Sequence, residues 1–174
     1  AGCEIVLVEC EKNSFSIEFY VYPSQQENEN QIICQKRRDN FKAITVALSE
    51  SSSTSKCDLI FSVTSGSALL FVSSSIEKGK FSHVCATFDR SPGQDILKIF
   101  VSESLRVTSS VAFEMGTLSF NRENFVIGSG SSFNVPDWST PNGETAFTPQ
   151  TTLSGSMDEV RVFHSTRTDI DQKK

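Results

Sequence analysis

The chain has 174 residues and a net charge of −5, enough for one domain with a substantial core and too short for two comfortable ones. That acidity excludes a general nucleic-acid binder, whose affinity comes largely from Lys and Arg neutralising phosphates; the one basic run, Lys36-Arg37-Arg38, is followed by Asp39-Asn40 and reads as a solvated turn. No apolar run approaches the roughly 20 residues of a membrane helix, so no membrane insertion is expected, and 14 Phe with 41 Ser and Thr suit pleated strands joined by polar turns.

In chain order, Ile5 to Val8 is a short first strand near a sheet edge. Phe15 to Tyr22 is clearer: Phe15, Ile17, Phe19 and Val21 alternate with Ser16, Glu18, Tyr20 and Tyr22, and Pro23-Ser24 ends the run. Gln31 to Lys36 and Phe41 to Leu48 follow as strands, and the Ser-rich tract from Ser49 to Lys56 is a hairpin connection with nothing to bury. Asp58 to Val63 and Ala68 to Val72 flank the hairpin signal Thr64-Ser65-Gly66-Ser67. In Phe81 to Asp89, Ser82, Val84, Ala86 and Phe88 share one face and Phe81, His83, Cys85 and Thr87 the other; Ile96 to Val101 pairs with it across Arg90 to Asp95.

Leu105 to Phe113, Phe120 and Phe125 to Ile127 complete the sheets. From Ser131 to Thr152 runs the longest stretch without strand pattern, holding three of the five prolines and the only Trp, a length that marks a functional or disordered loop. In Ser154 to Phe163, SGSMDEVRVF, strict alternation turns Asp158, Val160 and Val162 one way, towards the core, and Met157, Glu159, Arg161 and Phe163 the other. Thr168, with Asp169 and Asp171 behind it, opens a short terminal helix.

Four of these stretches, in this order, resemble a known pattern: FSIEFYVYPS from Phe15, FSHVCATFD from Phe81, IGSG from Ile127 and SGSMDEVRVF from Ser154. Together they resemble the laminin-G-like domains of the concanavalin A-like lectin and glucanase superfamily. The resemblance spans roughly Phe15 to Asp171 and implies an all-β fold, a two-sheet antiparallel β-sandwich of jelly-roll type with about a dozen strands. One departure stands out. The family usually has Asp-Gly or Asn-Gly after the strand equivalent to Ile96 to Val101, and Ser102-Glu103-Ser104 here puts the tight primed turn in doubt.

The fold hosts lectins, hydrolases and interaction modules alike, so function rests on particular residues. Glycosidases of this fold carry two Glu and an Asp at every second residue of one strand, and no strand here does. His83 and Cys85 are same-face neighbours without the third, orienting group of a triad, which leaves His83 packed or hydrogen-bonded. No enzyme is expected. A core-facing Asp158 must be neutralised or satisfied: the resemblance implies calcium near this end of the sandwich, with Asp158 the one position carried over, and the rival is a carboxylate accepting backbone N–H bonds. Trp138, beside Asp137 and with Asn134 close by, is either a platform for a sugar ring or the loop's own anchor. Glu159 and Arg161, two apart on the outward face, are spaced for an exposed ion pair.

Five cysteines, an odd number without CxxC spacing, and eight Asn without an Asn-x-Ser/Thr acceptor both lean towards an intracellular setting. The chain is thus read as a single domain, residues 1–174, excised from a larger protein and monomeric on its own. Its expected function is non-catalytic recognition: a lectin-like module binding a glycan at the loop end, or a domain that docks a protein partner.

Overall fold

The computed structural model describes residues 13–26, 28–39, 42–51, 53–120, 123–134 and 146–167. The expected first strand at Ile5 to Val8 and the terminal helix at Thr168 lie outside them. Two five-stranded antiparallel sheets face each other. In the front sheet β12 (Gly155–Phe163), β1 (Phe15–Pro23), β6 (Ser82–Ser91), β7 (Gln94–Val101) and β8 (Ser104–Val111) lie side by side in that order. The back sheet runs β5 (Ala68–Glu77), β4 (Lys56–Ser65), β3 (Lys42–Leu48), β2 (Gln31–Asp39) and β9 (Phe125–Ile127). A two-residue pair, β10 (Phe133–Asn134) with β11 (Ala146–Phe147), forms a small third sheet.

Period-two alternation builds the core. Phe15, Ile17, Phe19 and Val21 of β1 pack with Val84, Ala86 and Phe88 of β6 and Leu97, Ile99 and Val101 of β7 against Ile44, Val46, Leu59, Phe61 and Val63 of the back sheet. Phe15 meets Phe61 edge-on, with ring centroids 6.4 Å apart. Phe120 enters this core without belonging to a strand. The segment carrying it, with Met115 and Leu118, plugs the sandwich, and buried Asp95 holds the segment by accepting a 2.6 Å bond from Met115 N–H, with Arg90 4.0 Å away. Burial pushes the Asp95 carboxyl above its ordinary value, against the pull of that bond and of Arg90.

Cys34, Cys57 and Cys85 are buried free thiols; Cys3 and Cys10 lie outside the described residues. Burial raises them from about 9 to about 12, 11 and 11 respectively. The folded state therefore keeps protons that the unfolded chain releases near pH 9, and the stability they contribute, complete below that pH, is lost as pH rises towards 11 to 12. Native protein at pH 8 should leave Cys34, Cys57 and Cys85 unlabelled by a thiol reagent, with all three reacting once denaturant is added. Fast native labelling of Cys85 would show that its cover opens.

Two local departures from simple alternation shape the surface. Ser102 and Glu103 both adopt left-handed angles (φ 51° and 63°), with Val101 paired to Ser104, so the tight two-residue turn forms without Asp-Gly. The doubt raised by Ser102-Glu103-Ser104 is thereby corrected: the β7–β8 pairing is sufficient to hold two non-glycine residues there. The second departure lies in β12. Tyr20 pairs with Asp158 and Glu18 with Arg161, so two residues of β12, Glu159 and Val160, stand opposite Phe19 alone. Glu159 takes φ 50° at this bulge.

The bulge exchanges faces upstream of it. Met157, Val160 and Val162 pack on the core, whereas Asp158 is exposed with Glu159 and Arg161. The core-facing orientation expected of Asp158 is corrected on this ground. At the start of the same strand Gly155 (φ 142°) lies so close to the Tyr22 carbonyl that a side-chain carbon would overlap it. Only glycine allows β12 to reach the edge of β1 there.

Candidate functional site

The outward side of the front sheet is where polar chemistry gathers. Alternation that buries Phe19 and Val84 turns Glu18, Tyr20 and His83 outward, and pairing of β1 with β6 sets Tyr20 opposite His83. His83 Nε2 lies 3.0 Å from Glu18 Oε1. The Glu18 side chain is 8% exposed, so this carboxylate needs charged or hydrogen-bonding company. Its second oxygen lies 3.4 Å from Arg167 Nε.

Arg167 arrives by the tail that follows β12. The Ser16 hydroxyl donates to the Ser165 carbonyl at 2.8 Å and accepts from Arg167 N–H at 3.0 Å, pinning that tail across β1. The guanidinium also stacks on Phe163, 4.5 Å from its ring centroid. The result is a His83–Glu18–Arg167 network in which Glu18 is buried and His83 and Arg167 are partly exposed, with Cys85 buried beneath it.

Beside the network the surface opens into a cleft of about 460 Å³, whose lining includes Glu18, Tyr20, Phe81, His83, Glu159 and Arg161. Two aromatic rings are unusually bare: Tyr20 is 40% exposed and Phe81 53%. Tyr20 leans on His83 with centroids 4.9 Å apart, and Tyr22 supports Phe81 at 5.3 Å. On the opposite wall the expected Glu159–Arg161 pair is present at 2.8 Å, placed there by the β12 bulge. The cleft sets an apolar ledge next to hydrogen-bonding groups of both signs, more polar than the usual small-molecule pocket and suited to a polar ligand.

Of the ligand- and metal-binding residues singled out from sequence, only Asn134 and Asp158 are among those described. Trp138 and Asp137 lie outside the described residues. Asn134 is exposed on β10, over the back sheet. There Phe133 and Phe147 stack at 5.0 Å and close a second small core on Ile32, Ala47 and Ile60. Gln35 fixes the entry to this loop, accepting from Ser131 N–H (2.8 Å) and donating to the Ser131 carbonyl (3.0 Å). The loop's ends therefore sit on the back sheet, and Asn134 does not line the front-sheet cleft.

Calcium finds little to hold at Asp158. The carboxylate is exposed, its Oδ1 accepts the Glu159 N–H at 2.8 Å, and its partner across β1 is Tyr20. Among the described residues no three His, Cys, Asp or Glu converge to hold a metal. The described residues around Asp158 do not supply the six to eight oxygens that a calcium site needs.

The cleft's principal members escaped the sequence reading because they are distant in the chain and meet only through strand pairing. The one available signal was Glu18 within the outward row Ser16, Glu18, Tyr20 and Tyr22, a lone carboxylate in a row otherwise of hydroxyls and aromatics.

Among solved structures the chain is similar to a Bacteroides ovatus protein proposed to bind carbohydrate (18% identity, TM-score 0.57, 98% of this chain and 42% of that one). It is also similar to the SAP-like pentraxin of Limulus polyphemus (16%, 0.55, 93% and 70%) and to the CBM40 of Ruminococcus gnavus IT-sialidase (10%, 0.60, 92% and 81%). It thus spans less than half of the Bacteroides protein, and at these identities the likeness is one of fold. No curated protein matches it. The sequence itself, over residues 4–171, matches the concanavalin A-like lectin/glucanases superfamily, and with the two-sheet sandwich above this establishes that the chain belongs to that superfamily.

Proposed function

We propose that this domain is a non-catalytic glycan-recognition module and that its binding site is the front-sheet cleft. The observation that carries the reading is the pair of bare rings, Tyr20 and Phe81, set against the His83–Glu18–Arg167 network. A sugar ring has an apolar C–H face and a rim of hydroxyls. The face suits the aromatic ledge, and the rim suits carboxylates and guanidinium groups already held in place. Glu18 Oε1 is held by His83 and Oε2 is buried in ion-pair range of Arg167 without a hydrogen bond, while Glu159 is exposed and paired with Arg161; neither carboxylate stands free to pass a proton to a leaving group. The superfamily membership and the similarity to the CBM40 module, a module also solved with α2,6- and α2,3-sialyllactose, support a carbohydrate ligand.

The test is a glycan array probed with the domain, its Tyr20→Ala variant and its Trp138→Ala variant, each in calcium and in excess chelator. Binding that survives chelator, is lost in Tyr20→Ala and is kept in Trp138→Ala is the expected result. Loss only in Trp138→Ala would move the site to the 131–152 loop. Silence of the native domain on every glycan would overturn the reading and favour a protein partner.

A further inference from the structure

Phe81 and Ser102 do not line the first cleft alone. They are also walls of a second, about 450 Å³ in volume, bounded by the ends of β4 and β5 on one side and β8 on the other. The charge of this neighbour is different. Lys56, Lys80 and Arg106 line it with one carboxylate, Glu77, three cations against one anion, so it carries two net positive charges on a chain whose total is −5.

Glu77 does not neutralise it. Its carboxylate is committed to Lys80 at 2.9 Å, and that hydrogen bond and charge, with a smaller pull from Lys56, hold its carboxyl below the ordinary value. Arg106 makes no ion pair with any described residue. The hydroxyl-bearing Ser74 and Ser75 of β5 also line it. In the first cleft Glu18, Glu103 and Glu159 stand against Arg161 and Arg167, one net negative charge when histidine is left out of the count, as it is in the chain's total. Two clefts sharing an exposed aromatic ridge therefore differ by three charges.

We propose that the two clefts form one groove whose ligand is an anionic oligosaccharide: a neutral ring rests on Tyr20 and Phe81, and a sulfate or carboxylate substituent reaches past Phe81 to Lys56 and Arg106. This rests on the glycan reading above and adds to it the ligand's charge, its polarity along the groove and a length greater than one ring. Sulfate and carboxylate offer the same chemistry to these cations, oxygens that accept charge-assisted bonds.

The experiment is calorimetric titration with three oligosaccharides of one backbone and equal length, neutral, sulfated and uronate-bearing, at 50 and 200 mM NaCl. The native domain should bind an anionic form about tenfold more tightly than the neutral one at low salt, with the gap narrowing at high salt. The double variant Lys56→Ser/Arg106→Ser, exposed positions whose change should leave the melting curve in place, should lose the gap and keep its affinity for the neutral sugar within about twofold. The two anionic arms identify which substituent is taken. Equal affinity for neutral and anionic forms would overturn the inference and leave the first cleft's function intact. Binding of none of the three would defeat the glycan reading itself, and binding of a phosphoserine peptide in their place would overturn both.

Discussion

Lys78→Met should lower the folding free energy by about 2–4 kcal/mol, the largest loss expected from a single polar side chain outside the cleft. Lys78 follows β5 and is 6% exposed. Its ammonium has three donors, and three oxygens receive them: Asn28 Oδ1 at 2.6 Å, the Ser53 carbonyl at 2.9 Å and the Ser51 carbonyl at 3.3 Å. The lysine thus ties two connecting loops to the β5–β6 turn, whose Gly79 N–H in turn donates to the Pro23 carbonyl at 2.7 Å. Methionine keeps the apolar stem but withdraws the charged donor from all three acceptors. Denaturant melts should show a lower midpoint at unchanged slope, whereas Lys80→Met, which breaks only the exposed pair with Glu77, should leave the midpoint nearly in place. Equal midpoints for Lys78→Met and the native domain would mean that water reaches those oxygens.

Glu18→Gln should weaken glycan binding by about 30- to 100-fold while the domain stays folded. The carboxylate accepts from His83 and balances Arg167, and hydrogen bonds to charged groups contribute about 1.5–3 kcal/mol each. Glutamine retains one acceptor oxygen and presents an NH₂ to partners that are themselves donors. The tail then loses its charged anchor, His83 its orienting partner and the cleft its fixed wall. Glu159→Gln, on the exposed side of the cleft, weakens a solvent-facing pair with Arg161 and should cost the fold less than about 1 kcal/mol. Affinity and thermal melts on the two variants distinguish the roles. A Glu18→Gln domain that binds as tightly as the native one would show that the network is only structural.

Strand alternation made the sandwich readable before any coordinates, since β1, β6 and β7 carry their core residues at every second position without interruption. Where the pattern misled, one residue was responsible. Glu159 in a left-handed conformation inserts an extra position into β12, and no side-chain chemistry announces a bulge at a glutamate. Asp158 and Met157 exchanged faces as a result, and the reason for a cation at Asp158 left with them. The turn at Ser102-Glu103 is a parallel case, imposed by the pairing of β7 with β8 against the preference of its residues. Within the 131–152 stretch, Phe133 and Phe147 are too isolated for periodicity to detect, and they matter only because Ile32, Ala47 and Ile60 offer an apolar outer face.

The cleft was less legible still. Glu18 and His83 are 65 positions apart, and Arg167 comes from a tail placed by a single serine, Ser16. Sequence alone shows each strand's faces but not which strands will be neighbours, so a site assembled on one face of β12, β1 and β6 is invisible until the order is known. Trp138 drew notice because it is the only one of its kind; the bare Tyr20 and Phe81 stood among ordinary strand aromatics.

Chemical-shift mapping of backbone amides during titration with the best glycan from the array tests the location of the site most directly. The expected result is a contiguous set of shifts at Glu18 and Tyr20 on β1, Phe81 and His83 at β6, and Glu159 and Arg161 on β12. Shifts confined to Ser131 through Thr152, with β1 and β6 silent, would contradict a front-sheet site.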